Sequence, residues 1–401
     1  MMFRNFYIFC IITAISSCAS SPSPVLPPAA LEKLNNHVKI KLIWAQRFGN
    51  GVGENYLKFQ PALYQGSIIY LDFEGILSSV NQKTGDVNWQ HDFKFPVSSQ
   101  FIIHENNIIF GTSQGELIMA QLDDRKIVWQ QQFTSEILSK PAIADGFLVF
   151  NTVDGFLYGL DIKTGVQRWF YNRVVPVLTL RGSSTPVIVN GIVLSGFDNG
   201  KLIALTLEKG RVIWDTTISL PSGSTEIERI IDINIEPVIR EDLIYIATFQ
   251  GRLAAVELTS GKIVWARDMS VFNDIKVDAF RVYVTDANSK VWALDRKNGA
   301  TLWQQDALLR RNISGPVLFH DQLVVGDFNG YLHWLSRSDG KLVSRARIGE
   351  QVKTDYPADD VDDYFDTHVS KVKNILSVPI VFDNVMYAAN RYGDMHAYTT
   401  D

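Results

Sequence analysis

Apolar and polar residues are arranged along this chain in a sixteen-residue phrase that occurs seven times. The copies begin at Glu74, Gln114, Asp154, Asn199, Gln250, Asn288 and Asn329, with spacings of 40, 40, 45, 51, 38 and 41 residues. Each opens on a turn signal such as Asp154-Gly155 or Asn199-Gly200; such pairs tolerate positive φ and suit a tight hairpin. Alternating apolar positions follow, as in Leu157, Tyr158 and Leu160 or Leu253, Ala255 and Val256, which predicts a short strand. A second turn, at Thr164-Gly165 or Lys209-Gly210, leads into a strand ending in Trp89, Trp129, Trp169, Trp214, Trp265 or Trp303. One indole per unit is expected to wedge neighbouring sheets apart and bury roughly 150–250 Å² each time.

A second phrase precedes most copies and begins at Pro61, Pro141, Pro186, Pro237, Pro316 and Pro379. Proline is tolerated at the first position of a strand, where no ladder hydrogen bond is lost. The hairpin after it brings each unit to four antiparallel strands, a propeller blade. Repetition near 40 residues with strand-like units supports the same architecture. The last unit runs from Pro379 to Tyr398 and lacks its final strand, while Lys39 to Trp44 matches the missing Trp strand. The reading is therefore an all-β, eight-bladed propeller over residues 39–401, its ring closed by the N-terminal strand, which removes an open sheet edge.

Residues 1–17 differ from the rest. Arg4 is the only charged residue before Glu32, and Phe6 to Ile15 form a short apolar run, the pattern of a secretory signal peptide. Ile15-Ser16-Ser17-Cys18 resembles a bacterial lipobox, so Cys18 is the expected lipidation site, with Ala19 after it favouring sorting to the outer membrane. Only Cys10 and Cys18 occur, so the processed chain is expected to hold no internal disulfide. Residues 18–38, including Ser21 to Pro28, read as a lipidated Cys and a Pro-rich tether.

The net charge of −5 gives no reason to expect nucleic-acid binding. The seven His are scattered without metal-ligand spacing, and no nucleophile elbow, Walker or calcium-loop motif is present. Gly49 to Gly53 mimics a phosphate cradle but leads into no helix. Tyr356 to Asp366 is strongly acidic, yet its spacing matches no calcium loop and reads as a solvated insertion between blades seven and eight. Pro221 to Asn234 is the other long insertion, before blade five; lengthened loops on rigid scaffolds commonly carry function. No catalytic set, metal site or cofactor is expected.

The A-L-D-x-x-T-G-x-x-x-W phrase resembles quinoprotein dehydrogenases, whose eight-bladed propellers bind pyrroloquinoline quinone. That resemblance covers the blade scaffold alone. A closer one, over nearly the whole processed chain, is to the BamB family, the lipoprotein propellers of the outer-membrane β-barrel assembly machinery. It rests on Gly49 to Tyr56, Leu178 to Pro186, Gly223 to Arg229, Val271 to Ile275 and Gly315 to Trp334, strings in loops and blade joints. The resemblance implies a non-enzymatic scaffold at the periplasmic face of the outer membrane. It further implies docking of a BamA-like barrel insertase through its periplasmic domains, and contact with unfolded outer-membrane protein precursors. Carried over by motif, the partner-binding residues are Leu178, Leu180 and Arg181 in one loop, with Asp232 and Asn234 in another; Asn234 stands where the family has an Asp. The alternative is a quinoprotein-like periplasmic enzyme or small-ligand binder using the central channel.

Overall fold

The computed structural model describes residues 26–348, 374–375 and 377–400. The signal peptide, Cys18 and the acidic Tyr356–Asp366 loop lie outside them. Among the described residues, thirty-two strands form eight four-stranded antiparallel sheets, each pairing its strands in chain order apart from the last. Blades one to seven span Ala62–Asp92, Ile102–Gln132, Ala142–Asn172, Val187–Thr217, Val238–Asp268, Lys276–Gln305 and Val317–Arg347. Blade eight joins three C-terminal strands, from Ile380 to Thr400, to the N-terminal strand Ile40–Arg47. The ring closes as expected, through a ladder running from Ile40 opposite Thr400 to Arg47 opposite Asp394. No helix occurs among the described residues.

The prolines sit one residue ahead of each first strand rather than on it. The alternation read from the repeats also gives way to fuller burial. In blade three, Leu157, Tyr158, Gly159 and Leu160 are all buried, because both faces of an inner strand pack on neighbouring blades. Only the outer fourth strand, Gln167–Asn172, alternates between exposed and covered positions. Strands buried on both faces read as near-continuous apolar runs.

The indoles lock consecutive blades. Trp129 Nε1 donates to Ile162 O at 2.9 Å, and Trp169 Nε1 donates to Leu207 O at 2.7 Å. Trp44, Trp214, Trp265 and Trp303 make the same bond to Gln82, Leu258, Arg296 and Arg337. In each case the acceptor belongs to the hairpin between the third and fourth strands of the next blade. The ring also lies against the glycine of that hairpin. At Gly165, where φ is +69°, an added Cβ would stand 2.8 Å from Trp129. The glycine thus serves both a left-handed turn and a flat seat for the indole.

Two junctions depart from this rule. The blade-two hairpin has Arg125 in place of the glycine, and its guanidinium stacks over Trp89 at 4.7 Å as a cation–π contact. At the other, Ser344 replaces the indole on the outer strand of blade seven. Blade eight is split there, so no hairpin is present to receive an indole.

Candidate functional site

In this chain order, the segments leading from one blade into the next share a face with the hairpins between second and third strands. Two of these lead-ins, 173–186 into blade four and 218–237 into blade five, carry the residues singled out from sequence. In the second, Ile231, Ile233 and Ile235 are buried. Ile233 fills the space above Gly196, and Ile231 lies against Gly200. Asp232, between them, is also buried, at 1 % exposed. Its Oδ2 accepts the backbone N–H of Leu180, 52 residues away in the chain. A second stitch runs beside it, from Ser184 Oγ to Ile235 O at 2.8 Å.

These bonds bring the loops carrying all five residues together and divide their roles. Leu178 is 41 % exposed and Leu180 partly covered. Arg181 reaches back to Glu136 on the lead-in to blade three, with Nη2 to Oε1 at 2.7 Å, and about half of its side chain remains in solvent. Asp232 shows no face to solvent and acts by holding the Leu180 backbone. Asn234 is half-buried with Oδ1 unpaired, and Gly182 passes so near that a Cβ there would lie 3.0 Å from its Cγ.

Sequence reasoning missed the larger apolar surface on these same lead-ins. Val174 and Val177 are 92 % and 100 % exposed, and Leu220 and Ile227 are 74 % and 66 % exposed. Ile227 rides on a built turn: Ser224 N and Thr225 N donate to Glu228 Oε2, and Glu228 N donates to Thr225 Oγ1. These bonds hold the Glu228 carboxyl below its usual range. The arrangement is a reciprocal capping box. The signal available in the sequence was the G-S-T-E-I-E-R string itself, since Thr and Glu three apart define that box.

Below the loops, Asp198 and Asp232 form a carboxylate pair. Burial, with the charge of Asp232 added, pushes Asp198 up to about 7. Burial pushes Asp232 to about 6 against the opposing Leu180 amide.

Toward the axis, the lead-ins of blades one to six line a cavity of about 370 Å³ with Lys58, Lys140, Asn234, Glu236 and Asp274 among its walls. Lys58 Nζ donates to Phe272 O at 3.0 Å, and burial lowers its pKa. Among the described residues, no group of three His, Cys, Asp or Glu is placed to hold a metal ion.

The molecule is thus an eight-bladed propeller whose lead-in loops present an apolar patch beside a half-exposed arginine. A family model described as outer membrane protein assembly factor BamB matches residues 73–305. Outer membrane protein assembly factor BamB of Kangiella koreensis is 38% identical over 393 residues, covering 98% of this chain and 95% of that protein. Its Escherichia coli K12 counterpart is 32% identical, covering 84% and 89%. The chain belongs to the BamB family of outer membrane protein assembly factors. The crystal structure of BamB from Moraxella catarrhalis superposes with a TM-score of 0.76 at 23% identity, covering 90% of this chain and all of that one. Quinohemoprotein alcohol dehydrogenase from Comamonas testosteroni reaches 0.69 at 11% identity, covering 91% and 77%. Those two likenesses concern the fold.

Proposed function

We propose that this protein is a non-catalytic scaffold in outer-membrane β-barrel assembly. In this reading it is anchored through acylated Cys18 at the periplasmic face of the outer membrane and binds the periplasmic domains of a BamA-like insertase. The observation that carries the reading is the exposure of apolar Val177, Leu178, Leu220 and Ile227 on two loops pinned together by Asp232 and Leu180. Exposed apolar residues on stitched loops form a preorganised surface, which lowers the ordering cost of association. Arg181 adds a planar donor fork at its rim. Asp232 supports the patch from beneath, and Asn234 borders the channel mouth. Unfolded outer-membrane protein precursors are the second class of partner this reading includes.

Membership of a family named for outer membrane protein assembly supports this reading. The quinoprotein alternative draws on a scaffold likeness at 11% identity. A photo-crosslinking residue at Leu178, in cells, tests the proposal. Capture of the insertase from Leu178, and none from Asp145 on the far face of blade three, is expected. Equal capture from both, or none from Leu178, contradicts it. Labelled palmitate should enter the wild type but not Cys18→Ala.

A further inference from the structure

The Pro-rich stretch reads in sequence as a loose tether, yet residues 27–38 lie along blades six and seven under a row of hydrogen bonds. Arg310 Nε donates to Pro27 O at 2.6 Å, Arg311 Nη1 to Ala29 O at 3.0 Å, and Arg345 Nη1 to Glu32 O at 3.1 Å. Backbone bonds join Ala29 N to Leu309 O at 2.9 Å and His37 N to Val343 O at 2.8 Å. Asn36 accepts from Arg345 N at 3.0 Å and donates to Arg345 O at 3.3 Å. Leu31 packs against the blade six and seven core around Leu308 and Leu335.

Two of the arginines in this row, Arg311 and Arg345, are themselves fixed from below. Asp327, wholly buried, accepts from Arg311 Nε at 2.8 Å and lies 2.9 Å from His333 Nε2. The other ring nitrogen, Nδ1, accepts from Arg345 Nε at 3.2 Å, which assigns the neutral tautomer protonated on Nε2. Burial favours that neutral form, pushing the His333 pKa down. A buried carboxylate thus orients two guanidinium groups, and these grip backbone carbonyls, a recognition that does not depend on the side chains gripped.

We infer that residues 27–38 are a fixed strap of the propeller, and that the chain leaves it at Pro27, on the face that carries the Leu178 patch. Leu309 and Arg310 belong to the lead-in to blade seven, on the same face as the lead-ins to blades four and five. The second part of the inference rests on the reading of Cys18 as the lipidated residue. Eight residues lie between Cys18 and Pro27, nine residue steps in all, a span of at most about 32 Å. A tether free to Lys39 would reach more than twice as far. The strap therefore draws the blade six and seven edge of the patch-bearing face toward the bilayer.

Hydrogen exchange on the full-length processed protein in nanodiscs tests the strap. Amides of Ala29, His37 and Val38 should exchange at least tenfold more slowly than in an unstructured chain. Arg310→Ala with Arg345→Ala removes the grips on Pro27 O and Glu32 O and should speed exchange at Ala29 between them, while His37 and Val38, which donate to Val343 O and Ser344 Oγ, stay protected. Unstructured rates in the wild type overturn the strap. Ala29 protection unchanged in the double variant overturns the arginine grip. The orientation is read with fluorescent probes on Asp306→Cys and Asp145→Cys against quencher lipids. Stronger quenching at Asp306 is expected, and equal quenching overturns the orientation. Failure of the protein to enter nanodiscs at all would count against the lipid anchor, leaving the exchange result to judge the strap.

Discussion

Ser344 Oγ donates to Val38 O at 2.7 Å and accepts from Val38 N at 3.1 Å. It stands at the repeat position where Trp129 and Trp169 reach the next blade's hairpin. A small hydroxyl thus replaces a large indole at the junction where the chain's two ends meet. The residue entering the closing strand takes the bond that a hairpin carbonyl takes elsewhere. The ring is locked from the same repeat position all round, with the indole kept everywhere except at Ser344, where the connection changes.

The indole locks should dominate stability. Trp129→Ala removes a buried ring and its 2.9 Å bond to Ile162 O, and large-to-small changes of this kind cost about 3–5 kcal/mol. Trp89, more exposed and capped by Arg125, should cost less when truncated. Thermal melts of both variants decide it, and equal losses would mean that the interblade lock is not the source.

Much of this was legible in the sequence, for a physical reason. A propeller repeats one packing problem, so its Trp and Gly recur at one register and the split blade shows as a missing strand at one end. The burial of Asp232 was not legible. Ile-Asp-Ile-Asn-Ile alternates as if Asp and Asn faced solvent, but the segment is sandwiched between the blade-four hairpin and the Leu178–Gly182 loop, so both faces are covered. The strap was hidden for a different reason. Arginines gripping backbone carbonyls leave no pattern in the gripped residues, and proline-rich composition suggests a spacer.

The Asp198–Asp232 pair should make stability fall as pH rises. Both carboxyls bind protons more tightly in the fold than in the unfolded chain, to about 7 and about 6. Their favourable contribution is complete below the ordinary carboxyl range near 4 and is lost as pH climbs through 6 and 7. Asp198→Asn should raise the Tm at pH 7.5 by about 2–4 °C and flatten its decline from pH 5. A lower Tm at pH 7.5 with an unchanged slope would contradict the pairing.

Asp232 and Arg181 should separate by what they disturb. Asp232→Ala frees the Leu180 amide and should speed its hydrogen exchange and loosen the loop, with a secondary loss of partner affinity. Arg181→Glu, half-exposed, should leave that amide protected while weakening binding directly. Identical exchange in both variants would refute the supporting role of Asp232.

The purified protein should show no quinone absorbance and no quinone-dependent alcohol oxidation. Stoichiometric pyrroloquinoline quinone in the central cavity would turn the reading toward the dehydrogenases.

The most direct test is the affinity of the full-length protein for the insertase's isolated periplasmic domains, measured for wild type and for Leu178→Ala with Arg181→Glu. Truncating central interface residues typically costs at least about 2 kcal/mol, roughly thirtyfold in Kd. A loss of that size or more, at a Tm within about 2 °C of wild type and with binding retained in Asp145→Lys on the far face, is the predicted result. Wild-type affinity in the double variant would contradict the account.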